Sequence, residues 1–105
     1  METLNILEEV AFDERKPIFR TLLQGSGSRV MLLCLRAGQV VPEHSAPGPM
    51  TIQALSGRAV FYDGSTPTDT PIEMKAGTLI RLQSGQHRVE AREDAVLLVT
   101  ILGLV

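Results

Sequence analysis

The chain has little of what would tie it to a specialised class of protein. One cysteine in 105 residues excludes an internal disulfide. That residue, Cys34, lies in the apolar run Val30-Met31-Leu32-Leu33-Cys34-Leu35 with no adjacent basic residue or helix start to favour a thiolate. Inert burial is its expected fate. Excess positive charge is missing too: ten Lys and Arg against twelve Asp and Glu give a net charge of -2. Nucleic acid, which calls for clustered cations, is therefore not an expected partner. The apolar C-terminal run from Ala95 to Val105 has eleven residues, against about 20 for a membrane helix. The start, Met1-Glu2-Thr3-Leu4-Asn5, has neither a basic nor a long apolar segment. A soluble, cytoplasmic protein without a membrane partner is expected. Phosphate loop, nucleophile elbow and nucleotide fingerprint are all absent, so no motif names a substrate. Histidine is scarce: His44 and His87 only.

What is there is ordinary. An apolar share of 44% can bury a core, and 105 residues fit one domain, residues 1–105. Leu4, Leu7 and Val10 are spaced for one face of a short N-terminal helix, with Glu8 and Glu9 exposed. Pro17 ends that pattern. Beyond residue 15 no segment has a helical period, and short strand-forming runs follow one another with turn signals between them. Residues 18–23 and 29–36 flank Gly25-Ser26-Gly27-Ser28, which predicts a hairpin. The second run is apolar on both parities, so both its faces are covered, the second by another sheet or another subunit. Further strands are expected over 40–44, 50–55, 58–62, 72–74, 78–82, 87–91 and 95–102. Val40, Pro42 and His44 share one parity. Met50, Ile52 and Ala54 share another, opposite Thr51, Gln53 and Leu55. His87, Val89 and Ala91 alternate cleanly with Arg88, Glu90 and Arg92, which puts His87 on the apolar side. Residues 47–49 and the polar stretch 63–71 read as loops. The fold class is all-β, with about eight or nine strands in a sandwich or barrel.

Two glycine-framed segments carry a resemblance. Gly38-x5-His44-x-Ala46 … Met50-x6-Gly57 and Gly77-x7-Gly85-x-His87 resemble the two motifs of the cupin superfamily, G-x5-H-x-H-x3/4-E-x6-G and approximately G-x5-P-x-G-x2-H. The glycine spacing of the first is matched. In the second, Gln83 replaces the proline and the last gap is one residue shorter. The resemblance places motif 1 at 38–57, motif 2 at 77–91 and the barrel at about 18–105. It implies a jelly-roll barrel (double-stranded β-helix), usually a homodimer, with an internal pocket expected to be lined by His44, Ala46, Met50, Ile52, Gln53, His87 and Val89. In metal-dependent cupins two histidines and a glutamate of motif 1 and the histidine of motif 2 hold the metal. Here His44 and His87 match the first and last ligands, while Ala46 and Met50 stand where the second histidine and the glutamate would be.

Two histidines alone form a weak chelate compared with the three or four ligands of a zinc site or the histidine pair plus carboxylate of non-haem iron. Glu43 and Gln53 have the wrong parity to complete the set unless a bulge intervenes, and the Met50 thioether suits copper(I). No cofactor and no tightly held metal is therefore expected, with His44 and His87 the weak candidates for a divalent transition metal. The bland reading stands beside this: inward histidines in a pocket are more often hydrogen-bonded lining residues, and Met50, Ile52 and Ala54 apolar filling. The expected function is binding of a small organic ligand in the barrel pocket. Alternatives are a metal-independent isomerase, epimerase or lyase using His44 and His87 as base and acid, a degenerate metal-dependent oxygenase, and a dimerisation module without a working pocket.

Overall fold

The computed structural model describes residues 1–46, 48–64, 70–83 and 85–103. Parts of three expected loops or turns (Pro47, residues 65–69 and Ser84) and the last two residues of the C-terminal run lie outside the described residues. Among the described residues nine strands follow one short 3-10 turn: β1 (Ile18–Gly25), β2 (Ser28–Leu35), β3 (Val40–Ser45), β4 (Met50–Ser56), β5 (Arg58–Asp63), β6 (Pro71–Lys75), β7 (Leu79–Leu82), β8 (Gln86–Ala91) and β9 (Ala95–Ile101). They form two antiparallel sheets, ordered β1-β2-β9-β4-β7 and β3-β8-β5-β6. Among the described residues no helix is long and apolar enough to cross a membrane.

The β1–β2 hairpin closes over Ser26 and Gly27, both with left-handed backbone (φ 53° and 78°). A two-residue turn with two positive φ values matches the right-handed twist of the strands it joins. From there β2 pairs with β9 in unbroken register, Arg29 opposite Ile101 through Leu35 opposite Ala95. Both strands are apolar on both faces because both faces are covered. Leu33, Leu35, Leu97 and Val99 pack inward between the sheets, with Met50, Ile52, Phe61, Met74 and Val89. Leu32, Cys34 and Val96 face outward and are buried as well. Each large side chain so buried contributes roughly 1.5–3 kcal/mol.

The outer face of β2, for which the apolar run suggested another sheet or another subunit, is covered in this chain by its own beginning. Ile6, Val10 and Phe12 pack on the outer cluster. The 3-10 turn Ile6–Glu9 is started by Asn5, whose Oδ1 accepts from the Leu7 amide at 2.9 Å. The expected apolar face holds only in part: Val10 packs inward, but Leu7 is 76% exposed and Leu4 is exposed too, because a 3-10 turn followed by extended chain presents Ile6 in their place.

β3 holds the other departure. Val41 lies opposite Val89 and His44 opposite His87, so three steps along β3 match two along β8. The extra residue is a bulge, and it reverses the inside–outside alternation. Val41 and His44 therefore share the inner side, whereas Val40, expected beside His44, is 41% exposed against 7% for Val41. Gly57 closes the β4–β5 corner at φ 76°; a Cβ there would collide with the Asp94 carbonyl oxygen and lie 2.8 Å from the Ala95 Cα.

Candidate functional site

The bulge brings the two histidines together. As direct cross-strand neighbours they share a face, and their rings meet edge to face with centroids 4.2 Å apart. Phe61 of β5 stacks on His87, centroid to centroid 5.4 Å at 17°. His87 is thus held between an aromatic face and a second imidazole. The environments of the two histidines differ. His44 is exposed, and its Nδ1 donates to the Pro42 carbonyl at 2.9 Å, which leaves Nε2 as the acceptor of the neutral ring. His87 is 2% exposed, and its Nδ1 is buried without a hydrogen-bond partner. Burial pushes the His87 imidazole down to about 4 from its ordinary 6.5; neighbouring His44 adds to the fall and Asp63 opposes it. At neutral pH His87 is uncharged, a hydrogen-bonding group with an unmet bond.

The two rings border a cavity of about 30 Å³ between the sheets, lined also by Phe19, Leu33, Val41, Met50, Ile52, Val89, Leu97 and Val99. That is room for about two waters. Of the residues expected to line a pocket, the structure gathers His44, Met50, Ile52, His87 and Val89 there. Ala46 packs against the inner core without bordering the cavity. Gln53 stands apart: it sits between inward-facing Ile52 and Ala54, and its neighbour Leu55 packs on the outer cluster, so it belongs to the outer face of the sheet. Val41, Phe61 and Asp63 were not foreseen. Alternation from Ala59 through Phe61 already puts Asp63 on the inner parity; the polar stretch after it masked the signal. Its backbone lies opposite His87, forming the row His44, His87, Asp63 across three strands. Glu43 is exposed, its carboxylate against Gly64 at the same end.

The donor set does not fit a metal held by the protein alone. Two imidazoles are present, one with Nδ1 committed to Pro42, while Met50 is buried in apolar lining. Among the described residues no three His, Cys, Asp or Glu side chains converge as metal ligands would. A wider cleft of about 300 Å³ lies elsewhere, bordered by Arg58, Glu73, Lys75 and Arg92. Both of these arginines are already engaged, Arg58 with Glu93 and Arg92 with Glu90 and Tyr62.

The arrangement of strands is shared with solved structures over nearly the whole chain. An RmlC-like cupin protein from Desulfovibrio desulfuricans superposes with a TM-score of 0.88 at 28% identity, covering 100% of this chain and 99% of its own. The chain is a small cupin domain. A cupin superfamily protein from Desulfitobacterium hafniense (TM-score 0.82, 18% identity, 96% and 90% coverage) has the same fold. So does a protein with a double-stranded β-helix domain from Klebsiella pneumoniae (0.84, 22%, 98% and 90%). No protein-family model matches this cupin, and no curated protein matches it.

Proposed function

We propose that this cupin binds a small, largely apolar organic molecule between its sheets, with one polar group bonded to His87 and without a tightly held metal. The observation that carries the reading is the unpartnered Nδ1 of His87, a residue bordering a cavity whose lining is apolar apart from the two histidines. A buried polar atom left unsatisfied costs about 1–3 kcal/mol, and a ligand atom or a water that meets it recovers much of that. Apolar walls with a few fixed polar groups are the usual form of a small-molecule site. At about 30 Å³ the cavity is smaller than such a ligand, so entry displaces lining side chains. Met50, unbranched and flexible, and Phe19, 48% exposed at the rim, are suited to give way.

The test is a fragment panel read by NMR of the imidazole nitrogens. Binding fragments shift the His87 resonances and lose affinity in His87→Leu. A broad panel that leaves His87 unmoved overturns the reading, and stoichiometric metal in protein purified without an affinity tag overturns its metal-free part.

The contrast between the two imidazoles favours a second reading, a metal-independent isomerase, epimerase or lyase with His44 and His87 as base and acid. Groups in contact whose environments differ are the usual basis of such assignments. It requires turnover of a bound molecule that is lost in both His44→Ala and His87→Ala.

A further inference from the structure

One arginine is half-buried and unpaired, whereas Arg15 and Arg81, which also have no ion pair among the described residues, are exposed to solvent. Arg36 reaches Asp94 and Glu14, Arg20 reaches Glu9, Arg58 reaches Glu93, and Arg88 and Arg92 reach Glu90. Arg29 is half-buried, has no ion pair or hydrogen bond among the described residues, and has its Nε buried without a partner. A guanidinium carries five donors in a fixed fork and is never neutral, so leaving it unmatched in a chain with twelve acids calls for an explanation.

Its position supplies one. Arg29 is the direct cross-strand neighbour of Ile101, and Ile101 of Met50. Such neighbours share a face, and both Ile101 and Met50 belong to the inner core. Arg29 is therefore on the inner face of the sheet, in the row that ends at the cavity residue Met50. Phe19 and Leu33 of β1 and β2 border the cavity together with Val41 and His44 of β3, so these strands face one another across it. Arg29 lies on β2 at the same end as His44. The acid of the facing row His44–His87–Asp63 is beyond His87, two strands from His44.

Resting on the ligand-binding reading above, we infer that the ligand is a small carboxylate whose anionic head is held by Arg29 at the mouth while its apolar body enters toward His87. Planar, two-oxygen carboxylates match the guanidinium fork, and such charge-assisted pairs are about twice as strong as neutral ones. No Lys or Arg borders the inner cavity itself, and His87 is neutral, so Arg29 is the cation that discriminates the head group.

The test pairs isosteres: propionate against propionamide and butyrate against butyramide, each titrated into the full chain with the His87 imidazole signals as reporter. Wild type should favour each carboxylate over its amide by about tenfold or more. Arg29→Gln should abolish that preference with little change for the amides, and Arg29→Lys should retain part of it. Far-UV circular dichroism checks that both variants keep the sheet; should Arg29→Gln unfold, the preference in wild type and its reduction in Arg29→Lys decide. Equal binding of acid and amide, or a preference that survives Arg29→Gln, overturns the inference. Silence from all four probes while other fragments shift His87 overturns the carboxylate head and leaves the binding site standing; silence from those fragments as well overturns both.

Discussion

At the end of the barrel where β2 turns into β3 and β8 into β9, polar groups answer one another. Asp94 accepts from the Ala37 amide and from Arg36, at 2.9 and 2.7 Å. Gln39 accepts from the Arg36 amide and donates to the Asp13 carbonyl, and the Arg58 carbonyl accepts from both Arg92 and Glu93. At the opposite end, His87 Nδ1 and Arg29 Nε are buried with no partner. Exposed pairs of the first kind are individually weak, about 0–1 kcal/mol, but together with Gly57 they fix where three turns sit. The second end gives up such satisfaction around a cavity. One end is built to hold its shape, the other to be completed by something else.

The largest expected effect tests the holding end. Gly57→Ala places a Cβ against the backbone of Asp94 and Ala95 at a φ of 76°. A loss of about 3 kcal/mol or more is expected in urea unfolding; a variant as stable as wild type would show that this corner yields easily and that the contrast between the ends is false.

Next comes the completing end. The unfolded imidazole of residue 87 takes up its proton as the pH falls through 6.5, the folded one only near 4. The unfolded state therefore binds protons first, and the His87 contribution, complete above about pH 7, is lost as the pH falls from 6.5 toward 4. The loss is on the order of 3 kcal/mol. In His87→Leu this part of the pH dependence disappears, while stability at pH 7.5 stays within about 1 kcal/mol of wild type because a buried, unbonded nitrogen goes with it. Urea titrations of both proteins at pH 7.5 and 4.5 measure this, and a variant that is severely destabilised at pH 7.5 would make His87 structural.

The smallest effect is at Asp94. Its carboxyl lies below the usual range because it accepts from the Ala37 amide and from Arg36. A depressed carboxylate stabilises above its unfolded value of 3.8 and loses that contribution as the pH falls through the lower folded value. Asp94→Asn should lower Tm slightly at pH 7, by an amount that shrinks as the pH falls below 3.8 and the wild-type carboxylate takes up its proton. A shift that does not shrink would place its role in packing rather than charge.

The strands were legible almost to the residue, because alternation and Gly-rich corners are local signals. Residues 87–91 show this best: His87, Val89 and Ala91 face inward as their spacing says. What alternation cannot carry is a change of phase. The bulge in β3 exchanges the roles of Val40 and Val41, and nothing in Val-Val-Pro-Glu-His marks where the extra residue falls. Nor can it carry what lies far off in the chain. Arg29 reads as the polar start of a strand until Ile101 is seen beside it, and Asp63 as the start of a loop until it is seen opposite His87. That Ala46 and Met50 stand where the cupin motif carries a histidine and a glutamate was legible through the resemblance; the orphaned nitrogens are a property of three dimensions alone.

The pairing of β2 with β9 also sets an order of assembly. Residues 29–35 meet residues 95–101, well over half the length of the chain away. The β1–β2 hairpin, closed by two residues, can form within microseconds of synthesis, but its apolar second edge has no mate until β9 exists. Closing so long a loop makes folding slow compared with helical proteins of this size. Throughout that interval Val30 to Leu35 is an unprotected strand edge, and it is there that a second nascent copy would pair in place of β9.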